Sequence, residues 1–367
     1  MKKIFLLNTI TAWDEPPRAR HQLTFSLAKN HHVIFIARNK TGFPKINVYT
    51  PQENITVIEP VFPIDYKYRY RLPIINEIYQ NWLFNWISKN ISYDQSINFD
   101  FTATLIYNYI KKTIYYCNDE YIGNSKYPVW IINKYHQRCE NIVIKKALFC
   151  IVTSRFLETK FKLLNQNTFL IPLGGPNSSD IKVTPGKSTN NELITVNLTY
   201  VGARNLDFLL INDLLLKENI FVQCIGPRDA EFERKIIKHK NIVFKGILKG
   251  VDLYREINKA DVGIAPYDIA KVNKGGTPNK LWQYFALGKP VVVSDLPNLA
   301  FFDFPDKFIY TYISREDCYK MIIKAHSENN DNLVESRSKF ADLNSWDKRS
   351  EEFMKLADSF FHSENPG

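Results

Sequence analysis

A chain of 367 residues, 45% hydrophobic and 23% charged, is too long for one ordinary core and too apolar for disorder, so two globular domains are expected. No run approaches the ~18 uninterrupted apolar residues of a membrane-spanning helix. The five cysteines, odd in number and without a C-x-x-C pair, argue against a disulfide framework or a zinc site and for a reducing cytoplasm. The net charge of +10 is lopsided: residues 1–176 hold 22 Lys and Arg against 12 Asp and Glu, while the remainder balances at 26 of each. A basic half suits an anionic partner, whether nucleic acid, anionic lipid or a phosphorylated acceptor, although a merely soluble basic surface gives the same excess.

The start of the chain imitates a secretory signal. Its apolar run is short, however, and Trp13-Asp14-Glu15-Pro16-Pro17 stands where a small-residue cleavage site belongs, so Lys3–Asn8 reads as a first buried strand. A helix is expected over Pro17–Lys29, with Leu23, Leu27 and Ala28 on one side, then strands at His32–Ala37, Ile55–Pro60, Thr113–Cys117 and Leu148–Thr153 and a helix at Ser154–Leu164. Strands separated by helices indicate a parallel sheet covered on both faces. Residues 174–192 are rich in turn formers and read as the linker.

The pattern then restarts. Strands are expected at Leu193–Val201, Ile220–Ile225, Ile242–Lys245, Val262–Ala265 and Pro290–Ser294. Helices are expected at Phe208–Leu216, Glu231–His239, Val251–Lys259, Pro278–Leu287 and Trp346–Phe361. The expected fold is α/β, with two Rossmann-like doubly wound domains facing a cleft. These are 1–176 and 177–345, with 346–367 as a C-terminal helix packing back on the first.

The most informative stretch runs from Gly275 to Val292. Thr277 is a good N-cap, Pro278 fits the first helical position, and Gly288 suits the left-handed residue after the helix. Glycines ahead of a helix N-terminus make an anion site, and Lys280 in the first turn adds a formal charge. Together they would hold a diphosphate and stabilise the charge that builds on a leaving nucleotide. Asn279 and Gln283 share a face of this helix, and the Gln283 amide suits ribose hydroxyls. A well-capped surface helix would carry the same residues.

This segment, with its Gly-Lys-Pro-Val-Val exit, resembles the nucleotide-binding segment of GT-B glycosyltransferases. Many retaining members carry a pair of glutamates at the spacing of Gly275 and Gln283; both acids are missing here. The Lys-x-x-Gln form is instead similar to the xanthan glucuronosyltransferase family. The resemblance implies an inverting enzyme that uses UDP-glucuronic acid on a lipid-linked acceptor, with UDP contacts at Lys280 and Gln283; the sequence has no D-x-D metal motif, so independence of metal is expected. Tyr200-Val201-Gly202-Ala203-Arg204 is similar to the family's first C-terminal strand and glycine loop, which implies donor contacts at Gly202 and Arg204. Tyr267, in the Ala-Pro-Tyr end of another strand, is a candidate to stack near the base or to pack the strand end.

In the first half, Trp13 to Leu23 resembles a loop and helix start of bacterial polysaccharide glycosyltransferases. Arg18, Arg20 and His21 would then contact the acceptor, or else cap and solvate a helix. An inverting transfer needs a base for the acceptor hydroxyl. By resemblance this is Asp119, at the end of the strand Thr113–Cys117, with Glu120 as its substitute; a turn-forming aspartate would occupy the same place.

Residues Tyr66 to Arg71 alternate aromatic and basic, and the helix after them carries Ile75, Tyr79, Trp82 and Trp86 at helical spacing. That composition suits a headgroup interface or a polyprenyl-diphosphate acceptor, and equally an amphipathic core helix with a basic loop. The expectation is a cytoplasmic protein bound peripherally to the inner face of an anionic membrane, with a nucleotide-sugar as co-substrate and neither metal, cofactor nor nucleic-acid partner. A nucleotide-sugar epimerase of the same fold and a non-catalytic binding module are the competing readings.

Overall fold

The computed structural model describes residues 2–122, 130–184, 195–202, 205–272 and 279–362. The chain forms two compact units, 1–173 with 349–367 and 174–348.

The first unit is built on strands β1 (Ile4–Asn8), β2 (His32–Ile36), β3 (Lys40–Thr41), β4 (Lys45–Gln52), β5 (Ile55–Phe62), β6 (Gln95–Asn98), β7 (Thr113–Cys117), β8 (Cys150–Val152) and β9 (Thr168–Leu170). They form one sheet in the order β3-β5-β2-β1-β6-β7-β8-β9, with β4 antiparallel on β5. Every other pairing is parallel. Its helices are α1 (Ala19–Ala28), α2 (Tyr66–Arg69), α3 (Pro73–Asn90), α4 (Ile106–Tyr109), α5 (Trp130–Lys146) and α6 (Arg155–Lys162). The central strands are buried on both faces, as continuous apolar runs such as Phe5-Leu6-Leu7 require once helices cover both sides.

The second unit adds α7 (Ser178–Ile181), β10 (Val196–Val201), α8 (Phe208–Leu215), β11 (Ile220–Ile225), α9 (Ala230–Lys235), β12 (Ile242–Phe244), α10 (Gly250–Asn258), β13 (Val262–Ala265), α11 (Lys280–Ala286), β14 (Val291–Ser294), β15 (Ile309–Tyr312), α12 (Arg315–Ser327) and α13 (Asp331–Leu343), while α14 (Trp346–His362) starts in it and belongs from residue 349 to the first unit. Its parallel sheet runs β12-β11-β10-β13-β14-β15. Helices α8, α9 and α12 start on side-chain caps, from Asp207, Asp229 and Ser314 to backbone N–H groups at 3.0, 2.9 and 3.1 Å.

The linker expected over 174–192 is partly structure of the second unit. Gly175 N–H donates to Asn344 O at 2.9 Å and Trp346 N–H to Gly175 O at 3.0 Å. A side chain at Gly174 would lie 2.8 Å from Trp346 N, so the chain enters the unit along its last turn. Ile181 joins the unit's core; residues 185–192 lie outside the described residues. Helix α14 leaves from there and ends in the first unit, where Phe353 meets Phe5 and Phe360 stacks on Phe149 at 4.6 Å. The antiparallel β4 and the helix α5 have no counterpart among the elements expected from the sequence.

Candidate active site

In the second unit, three expected residues converge beyond the carboxyl ends of β10 and β13. Lys280 is the first residue of α11, and its Nζ lies 4.7 Å from the ring centre of Tyr200 and 4.9 Å from that of Tyr267. Both rings offer it a negative face, and the Tyr200 hydroxyl hydrogen-bonds it. Gly202 makes room for this approach. A Cβ there would stand 2.5 Å from Lys280 Nζ and 2.8 Å from Tyr200 Oη, and its φ of +154° lies at the edge of the region that favours glycine.

The helix is pinned by Tyr284, whose hydroxyl accepts from Val201 N–H at 3.0 Å and donates to Thr199 O at 2.9 Å. The fourth residue after Lys280 thus anchors α11 to β10, the strand that carries Tyr200. Gly288, with φ +70°, turns the chain out of α11 as its sequence position implies.

The electrostatics of Lys280 are one-sided. Burial pulls its ammonium below the ordinary lysine range, opposed only by Tyr200. No carboxylate within ion-pair reach of it occurs among the described residues. A half-buried cation without a counter-charge among the described residues is costly in an unliganded protein and suits an anion site. Gln283 is half-buried one turn further along α11, and exposed Asn279 precedes the helix without capping it through its side chain. Arg204, Thr277 and Pro278, like Gly275 and Gly276, lie outside the described residues.

In the first unit, the loop after β1 and the turn after β7 meet at Arg20. This residue is 4% exposed. Its guanidinium donates to Thr11 Oγ1 at 2.9 Å, Asn118 Oδ1 at 3.2 Å and Tyr121 Oη at 2.6 Å. All three partners are neutral, and its buried Nε has none. Arg20 is therefore an interior cation without a counter-ion among the described residues, while Arg18 is paired with Glu15 at 2.5 Å.

His21 departs from the acceptor-contact expectation. Its Nδ1 accepts the Arg18 N–H at 3.1 Å, so the proton sits on Nε2, which donates to Ala12 O at 3.1 Å. The ring stacks on Phe35 at 5.3 Å, and burial holds its pKa below the ordinary value. With both nitrogens engaged, His21 clasps the loop that carries Arg18 and Arg20.

Asp119 is half-buried just after β7, and its Oδ1 accepts Glu120 N–H at 2.9 Å. Glu120 itself turns inward. Lys160 Nζ bonds Glu120 Oε1 at 2.7 Å and Glu140 Oε2 at 2.8 Å, which commits Glu120 to a buried triad instead of a substitute-base role. Burial pushes the Glu140 carboxyl up, against the pull of Lys160.

The aromatic–basic stripe is also corrected in part. Arg69 is interior: its Nε donates to Asn39 Oδ1 at 3.0 Å, its Nη1 bonds Asn76, and it stacks 3.8 Å over Tyr79. Trp82 and Trp86 pack on the core of the first unit. Lys67 and Tyr68 remain exposed.

Sequence reasoning missed Tyr200, Thr11, Asn118 and Tyr121. Only Tyr200 carried a signal, standing two residues before the loop glycine on a strand. Among the described residues no group of His, Cys, Asp and Glu could hold a metal ion, and no helix is long and apolar enough to cross a membrane.

Two parallel-sheet units of this kind define the GT-B fold of glycosyltransferases. The sucrose-phosphate synthase of Thermosynechococcus elongatus superposes with a TM-score of 0.74 at 14% identity, covering 99% of this chain and 100% of that one. WaaG, a glycosyltransferase involved in lipopolysaccharide biosynthesis, gives 0.68 at 14% identity over 97% and 99%.

Residues 195–303, which include Tyr200, Gly202, Tyr267, Lys280 and Gln283, match the glycosyl transferases group 1 family. The putative teichuronic acid biosynthesis glycosyltransferase TuaH of Bacillus subtilis (strain 168) is 25% identical over 185 residues. That match spans 47% of this chain and 46%, about half, of that relative's length.

Proposed function

We propose that this protein is a glycosyltransferase of bacterial surface polysaccharide synthesis, moving a sugar from a UDP-sugar to a lipid-linked or polysaccharide acceptor. The observation that carries this is the half-buried Lys280 ammonium, held between Tyr200 and Tyr267 with no carboxylate partner among the described residues, inside the group 1 family match. The donor diphosphate supplies the missing counter-charge. As the anomeric C–O bond breaks, its electron pair goes to the departing UDP, where the charge on Lys280 is worth most.

The acceptor side is the first unit. Arg20, a buried guanidinium whose hydrogen-bond partners among the described residues are all neutral, suits an anionic acceptor group. Asp119 takes the proton from the acceptor hydroxyl as its oxygen bonds to the anomeric carbon, giving inversion. Glucuronate as the sugar rests on the Lys280–Gln283 spacing and family likeness, and turnover without metal on the lack of a D-x-D motif in the sequence. The same reading has the protein working peripherally at the cytoplasmic face of an anionic membrane.

The test is UDP release from a panel of UDP-sugars in the presence of lipid-linked acceptor and chelator. Acceptor-dependent release from one donor supports the proposal. Nucleotide binding without release from any donor favours a non-catalytic module.

A further inference from the structure

Helices α3 and α5 cover the same face of the first unit's sheet. Leu6 lies under α3 and Tyr115 under α5. Leu6 is level with Ser96, and Ser96 with Thr113, two residues from Tyr115, so both side chains point the same way. The helices are tied side by side by Asn76 Nδ2 donating to Tyr135 Oη at 3.1 Å, and Tyr70, at the end of α2, stacks on His136 of α5 at 5.2 Å.

Their outward faces are unusually apolar. On α3, Asn76, Tyr79, Gln80 and Leu83 face inward, which turns Ile74 and Ile78 to the opposite side, 74% and 56% exposed. On α5, His136, Cys139, Glu140 and Val143 face inward, leaving Trp130 and Ile131 62% and 60% exposed. Exposed Tyr68 and Leu72 continue this surface at the start of α3.

Cations surround it. Lys67, Arg71, Lys134 and Arg138 lie within 66–81 and 130–138, where Glu77 is the one acid. Lys134 Nζ sits 4.5 Å over the Trp130 ring. Because helices run back against parallel strands, these first turns lie at the carboxyl edge of the sheet, where Arg20 and Asp119 also stand.

We infer that this face, centred on Ile74, Ile78, Trp130 and Ile131, docks the protein on an anionic lipid surface. Aliphatic and aromatic side chains enter the headgroup boundary while the surrounding lysines and arginines meet lipid phosphates. The inference rests on the reading of a lipid-linked acceptor, since docking here brings the sheet edge bearing Arg20 and Asp119 to the membrane.

The test is flotation of the whole protein with phosphatidylcholine vesicles, with and without phosphatidylglycerol, alongside UDP-induced thermal stabilisation. Wild type should float only with anionic vesicles and show a blue-shifted tryptophan emission. The pair Ile74→Ser with Ile78→Ser, and separately Lys134→Gln with Arg138→Gln, should each weaken flotation about tenfold or more and leave UDP stabilisation unchanged. Trp130→Phe should keep flotation and lose most of the blue shift. Equal flotation of wild type and both pairs overturns the docking face, as does no flotation of wild type while UDP still stabilises it. If Ile74→Ser with Ile78→Ser instead dissociates a dimer, the face joins two copies and the lipid assignment falls. Absence of any UDP stabilisation contradicts the transferase reading, whatever the vesicles show.

Discussion

Replacing Lys280 with methionine should move stability and binding in opposite directions. The half-buried ammonium sits between two rings, and no carboxylate among the described residues faces it. A half-buried ammonium whose partners are one hydroxyl and two ring faces recovers part of its hydration only, and the remaining cost is about 1–3 kcal/mol. Methionine of similar length removes that cost, so the unliganded variant should melt a few degrees higher, at about 2–4 °C per kcal/mol for a unit of this size. The charged hydrogen bond to the donor diphosphate is lost as well. That interaction is worth about 1.5–3 kcal/mol, or about 10–150-fold in the dissociation constant of UDP.

The pH dependence has a definite sign. A lysine depressed by burial binds fewer protons when folded than when unfolded. Stability of the unliganded wild type therefore rises with pH through the window ending near the ordinary lysine value, and Lys280→Met should flatten that rise. Thermal unfolding with and without UDP, joined to calorimetric titration, measures both effects. A variant that is less stable when unliganded and still binds UDP at wild-type strength would refute the reasoning.

Asp119→Asn should leave UDP affinity intact and lower transfer by about 10²–10⁴-fold, read as acceptor-dependent UDP release; retained activity would put the base elsewhere. Lys160→Met strands Glu120 and Glu140 together in the interior and should cost about 3–5 kcal/mol in urea unfolding, whereas an unchanged midpoint would mean the triad is dispensable. Lys289 is buried and its ammonium is pushed down to about 8, so its penalty is fully present below that pH. Stability should gain about 3 kcal/mol between there and the unfolded value near 10.5, a rise that Lys289→Met removes while stabilising the protein at neutral pH. Parallel pH curves for variant and wild type would contradict this.

Much of the fold was legible because its strands are dense in Val, Ile and Phe and several helices, such as α6, α8 and α9, open on side-chain caps. Thr113–Cys117, Ile220–Ile225 and Val262–Ala265 have the expected bounds, and α11 exits at the glycine that its sequence implied. The antiparallel β4 is largely exposed on the sheet edge and carries Pro51, so its sequence lacks a buried run. Helix α5 hides its buried face among polar residues, since His136 and Glu140 are themselves interior.

The site was legible where one residue dictated its surroundings. A glycine after a strand and a lysine opening a helix each stood out in the sequence, but their approach to one another did not. Pairings across the sheet did not show. That Lys160 would claim Glu120, or that Arg69 would turn from the surface to Asn39 and Tyr79, follows from topology that sequence spacing does not encode.

The most direct measurement is thermal stabilisation by a panel of nucleotides and UDP-sugars in the presence of chelator. A ligand at ~100 times its dissociation constant should add about 2.7 kcal/mol. The account predicts a clear shift with UDP, a larger one with a single UDP-sugar, and a much reduced shift in Lys280→Met. No shift with any nucleotide would contradict it.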